Sequence, residues 1–303
     1  MKLNTLRIVR PQVITPAMLV STNVPENEYV EWNGGASYPL GQRVIVTSAH
    51  KVYQSSVAGN VGQSPLTSPL AWAEVGPTNR WKAFDQSNST QTRAQNFLTY
   101  TIRPGQAIHS VAALNLTEAT AMRVRVTDPG LGLIYDKTVN LSGQLLNSTW
   151  WDWFLGPRTE PKQCIYGDIP SAPAATITVD IAGTQGLAVG VILMGQTRAF
   201  SEGIRKGARI GITDYSRKER TEFGDTVLVE RPFARRANWS PVLKASEVDA
   251  FVDFMAEIRA QPCLWIGSDR YEAMTVYGIY KAFDVLIAYD DISTCDLELE
   301  GLT

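Results

Sequence analysis

Met122-Arg123-Val124-Arg125-Val126-Thr127 sets apolar against polar side chains in strict alternation, and Asp128-Pro129-Gly130 stops it at once. A period of two sends successive side chains to opposite faces, so the segment reads as a half-buried strand. The same texture recurs on both sides of it. Residues 97–102 end at Arg103-Pro104-Gly105, and 111–116, 133–136, 138–141, 175–181 and 187–194 continue the pattern. Short strands at regular spacing, punctuated by Pro and Gly, predict a β-sandwich over residues 86–200.

Before it lies an aromatic-rich stretch. Tyr29 and Trp32 precede the turn Asn33-Gly34-Gly35, Val44 and Val46 alternate with Arg43 and Ile45, and Val52 sits between Lys51 and Tyr53. These spacings predict a small β module over residues 26–85. Trp72, Trp81 and Phe84 flank the turn at Gly76-Pro77, which reads as a packed seam between two modules. Residues 1–25 carry Leu3, Leu6, Ile8 and Val9, then Pro11, Pro16 and Pro25. Prolines exclude a long helix there. A short strand and an extended arm are expected, closing a sheet of the same chain or lying across a neighbouring subunit.

From residue 201 to 303 the texture changes. Arg205, Lys206, Arg209, Arg217, Lys218, Arg220, Arg231, Arg235 and Arg236 are interleaved with Asp214, Glu219, Glu222 and Asp225. Mixed signs favour paired strands or a polar subunit interface over a nucleic-acid groove. A helix is expected from Ser246, as N-cap, to Ala260, with Val248, Phe251, Val252, Met255 and Ile258 as its apolar stripe and Pro262 as its stop. Strands before and after the helix make this an α+β domain, one helix on an antiparallel sheet. The whole chain is therefore expected to be mainly β.

Two patches stand out as candidate contact surfaces. Trp150-Trp151-Asp152-Trp153-Phe154 is the densest aromatic run. Read as a strand, it shows aromatics on both faces, so it is either central to the sandwich or turned toward a partner. Leu297, Leu299 and Leu302 alternate with Glu298 and Glu300 almost to the last residue. That strand is expected to be an unprotected edge, completed by another subunit.

Lys and Arg number 28 against 30 Asp and Glu, so no net field draws the chain to nucleic acid or an anionic membrane. No run approaches the length of a membrane span, and residues 1–7 lack the apolar stretch of a signal peptide. Cys164, Cys263 and Cys295 read as buried thiols of a reducing compartment. His50 and His109 are the only histidines and stand far apart, which argues against a metal cluster. No cofactor motif is legible. Asp290-Asp291 and Glu298/Glu300 are the acidic pairs, but consecutive residues diverge on a strand, and no framework for a glycosidase surrounds either pair. No Gly-x-Ser-x-Gly elbow occurs. No hydrolytic activity is expected.

Three resemblances add to this. Trp32, then Tyr38-Pro39-Leu40-Gly41-Gln42-Arg43-Val44, then Val52-Tyr53, a Pro-containing loop and Trp72 resemble the small carbohydrate-binding modules of chitinases. Carried over by position, Trp32, Tyr38, Tyr53 and Trp72 are the rings that would stack on sugar. Their other reading is as the core of a module too small to build one otherwise. Arg80-Trp81-Lys82-Ala83-Phe84-Asp85, leading into strands, resembles the opening of galactose-binding-like jelly rolls. Tyr277-Gly278-Ile279-Tyr280-Lys281-Ala282-Phe283, with residues 293–302, resembles the tail-tip proteins of long-tailed bacteriophages, nearest to the distal tail proteins that join tail tube to baseplate.

That last resemblance implies a non-enzymatic virion component, assembled in the host cytoplasm. Its partners would be further copies of itself in a ring, other baseplate proteins and a host-surface glycan. The rival readings are a glycan-active enzyme with accessory sugar-binding domains and a free-standing lectin. The C-terminal domain has no task in a free-standing lectin.

Overall fold

In the computed structural model, which describes residues 5–142, 150–155, 160–200, 202–220, 225–287 and 289–302, the alternating segments are antiparallel strands and the chain is mainly β. It divides into two units. One holds residues 1–12, 108–110 and 194–303; the other holds 13–107 and 111–193.

The second unit carries the sandwich. Phe97–Ile102 buries Leu98, Tyr100 and Ile102 on one face and pairs on one side with Thr176–Phe200 and on the other with Leu19–Thr22. Ser110–Asp128 pairs with Gly132–Asn140 and with Gln163–Tyr166. Its inward residues Met122, Val124 and Val126 are buried, as their alternation predicts. Each fully buried aliphatic side chain contributes about 1.5–3 kcal/mol. Tyr166 donates its hydroxyl to Met122 O at 2.5 Å, so a large polar-tipped ring enters the core with its one donor satisfied.

The small module keeps a sheet of its own. Arg43–Val46, Lys51–Ser55 and Trp72–Pro77 form three antiparallel strands, and Ser37–Tyr38 pairs with Asn60–Val61. The register shifts between Val52 and Tyr53, opposite Gly76, whose φ of 151° suits the irregular pairing there.

The first unit is one antiparallel sheet beneath one helix. Leu6–Pro11 lies between the end of Thr176–Phe200 and Cys263–Ile266. Cys263–Ile266 pairs with Thr275–Leu286, then come Ile292–Gly301, Phe233–Trp239 and Arg209–Asp214 in order. The N-terminal segment thus closes sheets of its own chain. The helix Val248–Glu257 lays Phe251, Phe254 and Met255 against Leu6, Phe200, Trp239, Trp265, Leu297 and Leu299.

Three details of this unit differ from expectation. Ser246 is not the N-cap: the chain leaves the strand Pro241–Lys244 through a 3-10 turn, Ala245–Glu247, which places Glu247 at the cap without a side-chain hydrogen bond. Phe254 replaces Val252 in the apolar stripe, and Val252 is exposed. The C-terminal strand is interior, paired on both sides, so Leu297 and Leu299 are core residues and not an interface; Leu302 is half-buried. Alternation shows which side chains are buried but not which strands flank them.

The aromatic run differs too. Trp150–Leu155 is a helix, not a strand. Trp150 stacks on Phe154 at 6.4 Å, an i,i+4 pair that only helical geometry brings together. Trp150, Trp151 and Phe154 are exposed; the Trp153 side chain lies outside the described residues.

Candidate functional site

The rings expected to stack on sugar are mostly core. Tyr38, Tyr53 and Trp72 are 4 %, 7 % and 2 % exposed and pack with Val44, Val46 and Ala71. Tyr38 meets Trp72 edge-on at 5.3 Å. Trp72 Nε1 donates to Gln63 O at 2.9 Å, and Asn33 N donates to the Tyr38 hydroxyl at 2.7 Å. Trp32, half-buried, packs against the same cluster. None of the three buried rings can present a face to a ligand. A module this small needs its aromatics inside.

The seam expected around Gly76-Pro77 is built from rings and one carboxylate. His50, Trp81, Phe84 and Tyr100 follow one another at centroid distances of 4.7, 5.9 and 4.9 Å. Glu26, nearly buried, takes Thr78 Oγ1 at 2.6 Å and Arg80 Nη1 at 3.1 Å. Tyr100 donates to Arg80 O at 2.5 Å, and burial pushes its phenol well above the usual range. This cluster is structural.

Beside it, loops of the second unit enclose a groove of about 650 Å³. Its walls are fixed by amide side chains that bind backbone at both ends. Asn79 Nδ2 donates to Arg93 O at 2.8 Å, and Arg93 N donates to Asn79 Oδ1 at 2.9 Å. Asn23 does the same across the strand, donating to Phe97 O and accepting from Thr99 N, both at 2.9 Å. Opposite, the Glu118 carboxylate accepts Gly186 N at 3.0 Å and the Thr184 hydroxyl. A Cβ on Gly186 would come within 2.5 Å of that carboxylate, so a larger residue there would push the Glu118 side chain aside.

The first unit offers other surfaces. A recess of about 400 Å³ is bordered by Arg209, Asn238, Asp284, Asp296 and Glu298, with Asp296 accepting Ser240 Oγ at 2.9 Å. Of the acidic residues singled out in the sequence, Glu300 is held by Tyr215 at 3.1 Å and Lys281 at 3.3 Å. Among the described residues, no three His, Cys, Asp or Glu gather as a metal-ligand set. No helix among them is long and apolar enough to cross a membrane.

The first unit also carries an exposed ribbon. Arg217–Arg220 pairs with Thr226–Val229, from Arg217 opposite Val229 to Arg220 opposite Thr226, and all eight residues are exposed. Leu228 is 68 % exposed, with Val227 and Val229 beside it. The strand leading into the ribbon, Arg209–Asp214, has one pairing partner among the described residues and exposes Ile210 and Ile212. Arg209, Arg217, Lys218, Arg220, Arg235 and Arg236 thus stand on paired strands, while Arg205, Lys206 and Arg231 lie between strands. Sequence reasoning noted their charge and missed the apolar residues between them, although Thr226-Val227-Leu228-Val229 is a β-branched run.

No family model matches the chain, and neither a curated protein nor a solved structure matches it.

Proposed function

We propose that this chain is a non-enzymatic structural subunit of a bacteriophage tail tip, of the distal-tail-protein kind, which assembles with further copies of itself through its C-terminal third. The observation that carries this is the strand Arg209–Asp214 with its ribbon. A sheet edge with one pairing partner among the described residues and two exposed isoleucines is a template for another strand. The ribbon adds Val227, Leu228 and Val229 on a two-stranded arm. Isolated two-stranded ribbons are marginal in water, so packing on a partner stabilises this one. Arg217, Lys218 and Glu219 stand directly opposite Val229, Leu228 and Val227, with Arg220 opposite Thr226, and suit a partner of mixed charge, as a second copy would be. A head-to-tail contact of this kind either closes into a ring or grows into a filament.

The likeness of residues 277–283 and 293–302 to tail-tip proteins supports the same reading and supplies the virion setting. The exposed Trp150, Trp151 and Phe154 offer a second apolar surface for another baseplate protein.

Light scattering on the full chain tests the assembly. The wild type is expected to exceed the mass of one chain at micromolar concentration. Ile212→Lys together with Leu228→Lys is expected to reduce it to one chain with an unchanged melting temperature, since both side chains are exposed. A wild-type chain that stays single overturns this reading.

A further inference from the structure

We propose that the groove of the second unit is a saccharide-binding site, with Arg93, Gln95 and Phe97 as its contact residues. The proposal rests on this groove alone and holds whether or not the chain assembles.

The lining is rich in uncharged amides: Asn23, Asn27, Asn79, Gln91, Gln95 and Gln185. Each carboxamide offers two donors and one acceptor oxygen, the mixture that vicinal hydroxyls need, since every hydroxyl both gives and takes a hydrogen bond. Purely apolar ligands would strand these groups. The amides divide by task. Asn23 and Asn79 use both ends on the backbone and hold the wall rigid. Gln91 spends its Nε2 on Asn115 O at 2.9 Å and Thr117 Oγ1 at 3.1 Å, which leaves its oxygen for a ligand. Asn27, Gln95 and Gln185 are exposed and have no side-chain partner among the described residues. Pre-organised walls with free amide tips are what low-cost recognition of a polar ring requires.

Phe97 supplies the remaining element. It is a partly exposed phenyl ring on the groove wall, with its backbone held by Asn23. An aromatic face beside hydrogen-bonding amides accommodates the apolar C–H side of a sugar while the hydroxyls turn to the amides. Arg93 is the single charged residue of the lining and has no ion-pair partner among the described residues. A guanidinium that no carboxylate pairs with among the described residues favours a sugar that brings its own, a uronic or sialic acid.

The test titrates the full-length chain on an array of neutral, amino-sugar and uronic- or sialic-acid oligosaccharides, with Phe97→Ala and Arg93→Ala alongside. Both side chains are exposed, so the variants are expected to melt with the wild type, and Gln95→Ala stands in if either does not. The wild type is expected to retain one or more glycans, acidic ones foremost. Phe97→Ala is expected to weaken that retention about tenfold, the loss of roughly one stacking contact. Arg93→Ala is expected to weaken acidic glycans most. No glycan retained, or retention that none of the substitutions alters, overturns the proposal.

Discussion

The same carboxylate oxygen of Glu26 that takes the Thr78 hydroxyl lies 2.8 Å from His50 Nδ1, while Thr78 N donates to His50 O at 2.9 Å. Two residues far apart in sequence are thus tied through side chain and backbone at once, with Arg80 on the other oxygen of Glu26. Charges withdrawn from water stabilise only while every partner is present. Glu26→Ala is expected to cost about 3 kcal/mol, because Arg80 then loses its counter-charge and Thr78 its acceptor. Glu26→Gln keeps an acceptor oxygen and should cost less. Urea unfolding followed by tryptophan fluorescence measures both; a loss below about 1 kcal/mol for the alanine variant would show that water replaces the carboxylate freely.

Trp72 separates packing from sugar binding in the small module. Its ring is buried against Tyr38 and its Nε1 is used by Gln63 O. Trp72→Ala should lower stability by about 3–5 kcal/mol. Glycan retention by the fraction still folded should not change. Thermal melts paired with the array decide it.

Alkaline pH should weaken the fold through its cysteines. Burial pushes the Cys164 thiol up to about 11 and those of Cys263 and Cys295 up to about 12. In the unfolded chain these thiols ionise near about 8.5. Between those values the folded chain binds more protons, so stability falls as pH rises, by up to about 1.4 kcal/mol per pH unit per thiol. The contribution is complete below the unfolded value and is lost as pH rises through the folded values. Melting temperatures from pH 7 to pH 10 should stay level and then decline, and Cys295→Ala should flatten the decline.

Gly278 is expected to tolerate nothing larger. A Cβ there would meet Glu300 O at 2.0 Å, where Thr275–Leu286 and Ile292–Gly301 run side by side. Its carbonyl also accepts Trp265 Nε1 at 3.0 Å. Gly278→Ala should cost more than about 3 kcal/mol, since backbone, not a flexible side-chain end, would have to yield. Differential scanning calorimetry measures the loss.

The sequence made the strands legible and their continuity much less so. Residues 111–116 and 122–127 read as two strands, yet Ser110–Asp128 is one. Asn115 and Glu118 adopt positive φ, 51° and 54°, and break the alternation without ending the strand. Residues 175–181, apart from Ala175, and residues 187–194 likewise belong to Thr176–Phe200, where Gly183 and Gly186 look like a turn. At Gly183 the Glu118 backbone approaches too closely for a side chain, and at Gly186 the Glu118 carboxylate closes on the strand. Trp150–Leu155 carries aromatics that favour strands, and a six-residue run is too short for its period to speak. The groove was not legible at all. Its amides are scattered from Asn23 to Gln185, each ordinary in its own loop, and only the fold brings them together.

The placement of Leu6–Pro11 sets a birth order against a folding order. Its neighbours in the sheet are residues 195–200 and 264–266, so this strand leaves the ribosome well before either of the strands it pairs with. Residues 13–193, apart from a three-residue excursion at 108–110, are by then already made. Synthesis therefore favours the amide-lined unit as the first to fold, with the N-terminal strand held in waiting. An extension fused ahead of Leu6 would be carried through that wait, and a truncation that removes Leu6 and Ile8 would leave a completed sandwich attached to a sheet missing a central strand.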